Sequence, residues 1–246
     1  MAPLFALWFL LAIASLVTLF FIPAPYGRYA DRTRGPLLPA RWAWMAMEAP
    51  AVLAFALAVA AAGPEAAIDT WVLTGFWMLH YLDRAFLYPF RIAPGARAMP
   101  LAIAGLGCAF NCVNGTLNGR GVVAEARGGA SWLADPRFLG GALLFVAGWL
   151  ANRWADRTLR ALRGPGESGY RIPQGGLFRW VSCPNYLAES VQWIGWAVMS
   201  WSLAGAAFAL WTLANLVPRA RAHHRWYRAR FADYPPERRA LLPGIW

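Results

Sequence analysis

"PLFALWFLLAIASLVTLFFIP", residues 3–23, contains no charged side chain. A helix rises about 1.5 Å per residue, so a run of this length crosses a hydrocarbon core of about 30 Å. Its reading decides whether the chain folds in water or in lipid. A secretory leader carries a basic segment ahead of a shorter apolar core; no basic residue precedes this run, and it reads as a membrane helix that stays with the protein. The rest of the chain agrees. Of 246 residues, 59% are hydrophobic and 14% charged, against about 25% charged in a water-soluble domain. Six further apolar windows fall at about 42–62, 68–90, 99–117, 136–155, 186–202 and 203–218, each near the roughly 20 residues a spanning helix needs. The Pro/Gly clusters PAPYG, IAPGA and RGPGE lie between windows, and there is no repeat, low-complexity tract or strand pattern. The expectation is an all-α polytopic membrane protein of seven transmembrane helices, one integral-membrane domain over residues 1–246.

Net charge is +11, and all 23 basic residues are Arg. With the N-terminus away from the cytoplasm, the inner segments collect Arg28, Arg32, Arg34 and Arg41, then Arg91 and Arg97, then Arg153 to Arg179, then Arg219 to Arg239. That asymmetry is what membrane insertion selects, and it places the C-terminus in the cytoplasm. A nucleic-acid groove would need those arginines on a water-facing domain, and no segment is large enough to be one. Cys108, Cys112 and Cys183 form no CxxC pair and no metal spacing; they read as small apolar packing residues, and no metal is expected. A chain without Lys and rich in Ala, Arg and Trp resembles those of GC-rich bacteria, so a bacterial inner membrane is the expected location.

In lipid, polar groups at membrane depth are the informative ones, since a carboxylate at a helix centre costs about 2.5–3.5 kcal/mol even on insertion scales. Glu48, in WAWMAMEAPAVLAFALAV, is such a group, with Pro50 loosening the turn beside it. The third window, TWVLTGFWMLHYLDRAFLYPF, carries His80, Tyr81, Asp83, Arg84 and Tyr88. Tyr81, Arg84 and Tyr88 share a helix side, Tyr81 is placed to meet Glu48 across the helix pair, and Asp83 and Arg84 satisfy each other or a neighbouring helix. Asn111, Asn114 and Asn118 read as interhelical hydrogen-bonding residues.

In the fifth window Asn152 and Asp156 are one turn apart, and Arg163 continues their face. In YRIPQGGLFRWVSCPNYLAE, Pro184 is a first-turn proline, so NYLAE opens the sixth helix with Asn185 and Glu189 on one face at its positive end. The Gly-rich YRIPQGGLF lets backbone approach a ligand closely. The tail RARAHHRWYRARFADYPPERRALLPGIW, with His223, Tyr227 and Arg238, reads as a basic amphipathic segment beside the headgroups. Two polar ladders and many arginines at the cytoplasmic helix ends, with Glu48 and Tyr81 deeper, suit a ligand with a polyanionic, hydroxyl-bearing half and a reactive end in an apolar pocket. A nicotinamide cofactor has this form. No GxGxxG follows a strand, so binding falls to the helices themselves.

MEAP around Glu48, LHYLDRAFLYP around Tyr81, NRWADRTLRALRGPGESGYRIPQGGLF, VSCPNYLAESVQWIGW and HHRWYRARFADYPPERRALLP together resemble the membrane steroid 5α-reductases over nearly the whole chain. The resemblance implies a seven-helix membrane fold and NADPH-dependent reduction of the Δ4 double bond of a 3-oxo-Δ4-steroid or similar enone lipid; a monomer is expected. It assigns catalysis to Tyr81 and Glu48, and cofactor binding to Arg97, Asn152, Asp156, Arg163, Tyr170, Arg171, Asn185, Glu189, His223 and Tyr227. Trp44, Phe110 and Trp193 would line the substrate pocket. Met47 stands where the family commonly carries Gln. Two alternatives remain at this level. An isoprenylcysteine-type carboxyl methyltransferase shares a PNYLAE-like element but gives Glu48 and Tyr81 no task. A non-catalytic lipid carrier would use the buried polar groups only to hold helices together.

Overall fold

The computed structural model describes residues 2–22, 29, 35–63, 65–92, 98–125, 127–162 and 169–246. The chain is predominantly helical. Among the described residues there are seven α-helices: α1 (Ala2–Phe21), α2 (Ala40–Ala60), α3 (Ile68–Leu82), α4 (Leu101–Ala124), α5 (Pro136–Ala161), α6 (Pro184–Ser200) and α7 (Leu203–Arg230). Each apolar window overlaps one of them. Their ends run past the windows, because backbone hydrogen bonding continues a helix where apolarity stops: α4 goes on to Ala124, α5 to Ala161 and α7 to Arg230. Residues Pro3–Phe21 and Ala40–Ala60 are long and apolar enough to cross a membrane by length and composition. The others depart from that pattern through shortness (α3 and α6 have 15 and 17 residues), through the asparagines of α4, or through the arginines of α5 and α7. The absence of strands expected from sequence is corrected on a small scale. Leu37–Leu38 (β1) and Met99–Pro100 (β2) form a two-stranded antiparallel pair joining the lead-in segments of α2 and α4.

The chain divides into two compact units interleaved along the sequence. One comprises Ala24–Gly140 and Ala197–Ala206; the other comprises Met1–Pro23, Gly141–Trp196 and Ala207–Trp246.

In the first unit α2 packs along α4 in the same direction. A Cβ at Gly107 would fall 2.3 Å from the Met47 side chain, at Gly115 3.0 Å from the Ala51 carbonyl, and at Gly119 2.7 Å from the Ala58 methyl. Small residues eight and four positions apart on one helix face let two backbones approach closely. α3 runs antiparallel to α2: Trp77 stacks on Phe55 with centroids 4.6 Å apart, and its indole N–H donates to the Ala51 carbonyl at 3.0 Å. After Leu82 the helix widens into a π turn, Asp83–Leu87, and then tightens into a 3₁₀ turn, Tyr88–Arg91. At the other end of the unit the buried Arg127 pairs with Asp69 at 3.0 Å. It also donates to the carbonyls of Gly121, Val122 and Ser200, tying the start of α3, the end of α4 and the end of α6.

In the second unit α5 and α6 are antiparallel and equally close. A Cβ at Gly148 would lie 2.6 Å from the Ala188 carbonyl, and one at Gly195 2.5 Å from the Phe145 backbone. α7 runs antiparallel to α6, with Phe208 against Trp193 at 4.3 Å and His223 against Tyr186 at 5.7 Å. α1 runs alongside α7, Trp8 meeting Trp211 at 5.1 Å. Apart from Ala12, no described side chain of α1 is buried, and Leu7, Leu10, Val17 and Phe21 are all exposed.

Candidate active site

The half-buried Glu48 lies on α2 inside the proline-loosened turn, where Pro50 has no N–H to give the Ala46 carbonyl. Asn111 of α4 reaches across: its Nδ2 donates to the Met47 carbonyl at 2.7 Å and to Oε2 of Glu48 at 3.3 Å. Asn114 and Asn118 instead pair within α4, Asn118 Nδ2 donating to both oxygens of Asn114 at 3.0 Å. Of the three asparagines read as interhelical, these two are thus joined along one helix.

Tyr81 is 3% exposed and continues the Phe55–Trp77 stack, its ring 4.7 Å from Trp77 and edge-on to His80 at 5.0 Å. The π turn redirects the residues that follow. Asp83 takes Arg91 at 2.9 Å, and the Arg84 guanidinium lies over the rings of Trp44 and Tyr88 at 4.8 and 4.4 Å. Trp44 meets Tyr88 edge-on at 5.4 Å. Glu48, Tyr81, Trp44 and the half-buried Phe110 therefore all belong to the first unit.

In the second unit α6 begins at Pro184, as its fixed φ favours, with Asn185 and Glu189 half-buried one turn apart. Asn152 of α5 donates to the Asn185 carbonyl at 3.0 Å, and Asp156 follows one turn later. The Tyr186 hydroxyl accepts from Nε of Arg219 at 2.9 Å and meets Nε2 of His223 at 3.1 Å. Tyr170 packs on Trp226 at 4.9 Å, and Tyr227 stacks on Tyr234 at 5.4 Å. Arg171 is exposed. Trp193 is enclosed by Phe145, Trp196 and Phe208. Arg97 and Arg163 lie outside the described residues.

In the loop expected to approach a ligand, Gly176 packs on Trp154, where a Cβ would come within 2.3 Å of the indole, while a Cβ at Gly175 would meet nothing within 4 Å. One sequence reading changes here: Arg238, in the tail, is 2% exposed and not solvated, donating to Gln174 at 2.8 Å and lying 5.3 Å from the Tyr234 ring, while Arg225, Arg228, Arg230 and Arg239 are exposed. Sequence reading also missed Ser182, whose Oγ lies 2.7 Å from Nδ1 of His224, 2.6 Å from the Tyr234 hydroxyl and 3.1 Å from the Arg239 carbonyl. The backbone joins the same segments, Ser182 N–H donating to the Arg239 carbonyl and Arg239 N–H to the Trp180 carbonyl at 2.8 and 2.9 Å. Among the described residues no group of three His, Cys, Asp or Glu side chains is placed to hold a metal.

Residues 97–246 match the family model described as 3-oxo-5-alpha-steroid 4-dehydrogenase. The chain is 42% identical over 239 residues to the bovine (Bos taurus) "3-oxo-5-alpha-steroid 4-dehydrogenase 1", covering 96% of this chain and 93% of that one. The chain belongs to the 3-oxo-5-alpha-steroid 4-dehydrogenase family. It is similarly related, at 39% identity over 97% of its length and 94% of the relative's, to "Steroid 5-alpha-reductase DET2" of Gossypium hirsutum. A third relative, "3-oxo-5-alpha-steroid 4-dehydrogenase 2" of Sus scrofa, is 40% identical over 96% of this chain and 93% of its own. In this dehydrogenase family member, the segment that the family model matches carries Arg97, Phe110 and every residue from Asn152 to Tyr227 named above. Glu48 and Tyr81 lie ahead of it, within the span covered by the near full-length relatives.

Proposed function

We propose that the protein reduces the Δ4 double bond of a 3-oxo-Δ4-steroid, or of a similar enone lipid, at the expense of NADPH. The observation that carries this reading is the relationship to 3-oxo-5-alpha-steroid 4-dehydrogenase 1 over 96% of the chain. The environments of the residues fit it. Reduction places negative charge on the enone oxygen as hydrogen adds to the β-carbon, so a donor aimed at that oxygen stabilises the transition state more than the ground state. Tyr81, enclosed by Trp77 and His80, offers a phenol O–H in apolar surroundings, and Glu48 orients it and holds a proton. Trp44 and Phe110 supply the apolar lining for a flat ring system.

Bound NADPH would supply the hydride. The donor set suits such a ligand: Asn152, Asp156, Asn185 and Glu189 offer hydroxyl partners, Arg97, Arg163 and Arg171 offer phosphate partners, and Tyr170, His223 and Tyr227 offer planar surfaces. The bilayer setting draws support from helix direction. α2 and α4 are parallel and α3 opposes α2; α1 and α7 are parallel, and α6 opposes both α5 and α7. These are the relations of seven successive crossings. We read one integral-membrane domain acting as a monomer in a bacterial inner membrane, N-terminus outside and C-terminus cytoplasmic.

Purified protein in detergent is expected to oxidise NADPH only when an enone is added. Tyr81→Phe and Glu48→Gln should each lower turnover by about 10²–10³-fold and leave NADPH binding intact. Full activity in both variants would overturn the chemistry.

A further inference from the structure

Along α4, Gly107, Asn111, Gly115 and Gly119 recur every four residues on the face that meets α2. Three of these positions have no side chain, and each is where a Cβ would collide with α2. The fourth carries an amide, 6% exposed, which fills the gap in the row and reaches the α2 backbone. The helices are thus brought together by the glycines at the height of Glu48, and Asn111 alone in that row can hydrogen-bond there.

The orientation of the amide is fixed by its first partner. The Met47 carbonyl only accepts, so the atom 2.7 Å from it is the nitrogen. The second N–H of that nitrogen goes to Oε2 of Glu48 at 3.3 Å. In a protonated carboxyl the carbonyl-type oxygen is the better acceptor. An N–H held against Oε2 keeps that oxygen in the accepting role and leaves Oε1 as the one that carries hydrogen.

We propose that Asn111 is the positioning residue of Glu48: anchored on the Met47 carbonyl, its amide sets the carboxyl rotamer and selects Oε1 as the oxygen that bears the proton. This rests on the reading of Glu48 as part of the reductive site. The amide takes no part in the reaction itself; it makes one of two chemically equivalent oxygens the donor and holds it in place. The same contact explains how a carboxyl is kept in one orientation beside a turn loosened by Pro50.

The test uses the full chain in detergent with an enone and NADPH. Asn111→Leu keeps the volume and removes both N–H groups, and is expected to lower kcat by about 10- to 100-fold with little change in the enone KM and none in NADPH affinity. Asn111→Gln, which restores an amide on a longer arm, should recover part of the loss. The deciding measurement is single-turnover reduction in the Glu48→Gln background. There, Asn111→Leu should cost nothing more, because the carboxyl it positions is already gone. Equal losses in both backgrounds, or unchanged kcat in Asn111→Leu beside an inactive Glu48→Gln, would overturn the proposal while leaving the reductase reading intact. Full turnover in Glu48→Gln itself would remove the reading and the proposal together. If Asn111→Leu does not bind NADPH, Asn111→Gln decides: wild-type kcat and KM with the amide displaced would count against a positioning role.

Discussion

One hydroxyl at Ser182 meets a phenol, an imidazole and a carbonyl. Burial pushes the Tyr234 phenol up, with the Ser182 hydrogen bond opposing it, so Tyr234 stays protonated. Burial holds His224 below its ordinary value, and the nearby positive charges of Arg228 and Arg239 add to the effect. The imidazole is therefore neutral at neutral pH in the folded protein. Its contribution to stability is fully present above the unfolded value of about 6.5 and is lost as pH falls through that value towards the lower folded one, because the unfolded chain takes up the proton first. Thermal midpoints in detergent should be flat above neutrality and fall as the solution is acidified below that point, and His224→Gln should flatten the acid side. Ser182→Ala strands the Tyr234 and His224 partners, and the expected loss is about 1–3 kcal/mol, read as a lower midpoint at neutral pH.

Close helix approach was only half legible. The apolar windows located each helix, and Pro184 marked the start of α6, because length, apolarity and a fixed φ are properties of the chain itself. Which glycines face a neighbour is not. Gly105 and Gly119 look alike in sequence, yet a Cβ at Gly105 meets nothing within 4 Å while one at Gly119 meets Ala58 and the Phe55 carbonyl within 2.8 Å. Gly119→Ala should therefore destabilise by about 1–3 kcal/mol, whereas Gly105→Ala should be neutral or gain about 0.5–1 kcal/mol from lower chain entropy; paired melting curves of the two variants separate them. The same ignorance of facing partners hid the Asn111–Glu48 contact, left Arg127 and Asp69 unmatched across their separation in sequence, and made Arg238 look solvated. A run of arginines reads identically whether it meets water or the face of Tyr234. The π turn at Asp83–Leu87 was invisible because no residue type demands it.

Helix directions make the whole-molecule reading testable. Seven crossings with an outer N-terminus put the α4–α5 connection outside and the end of α7 inside. After replacement of Cys108, Cys112 and Cys183, a cysteine at Asp135 should react with an impermeant maleimide in intact cells, and one at Asp233 only after the membrane is opened. Labelling in the opposite sense would invert the orientation. The grouping at Arg127 agrees with this arrangement, since the start of α3 and the ends of α4 and α6 would all emerge on the outer side.

That grouping also bears on how the chain is made. Asp69 leaves the ribosome before Arg127, so the charge is neutralised soon after synthesis, but the Ser200 carbonyl arrives only once the sixth helix has been translated. The latch on the first unit thus closes late. Nascent chains stopped short of that residue should remain open to proteolysis at the loop carrying Arg127, and chains a few dozen residues longer should resist it.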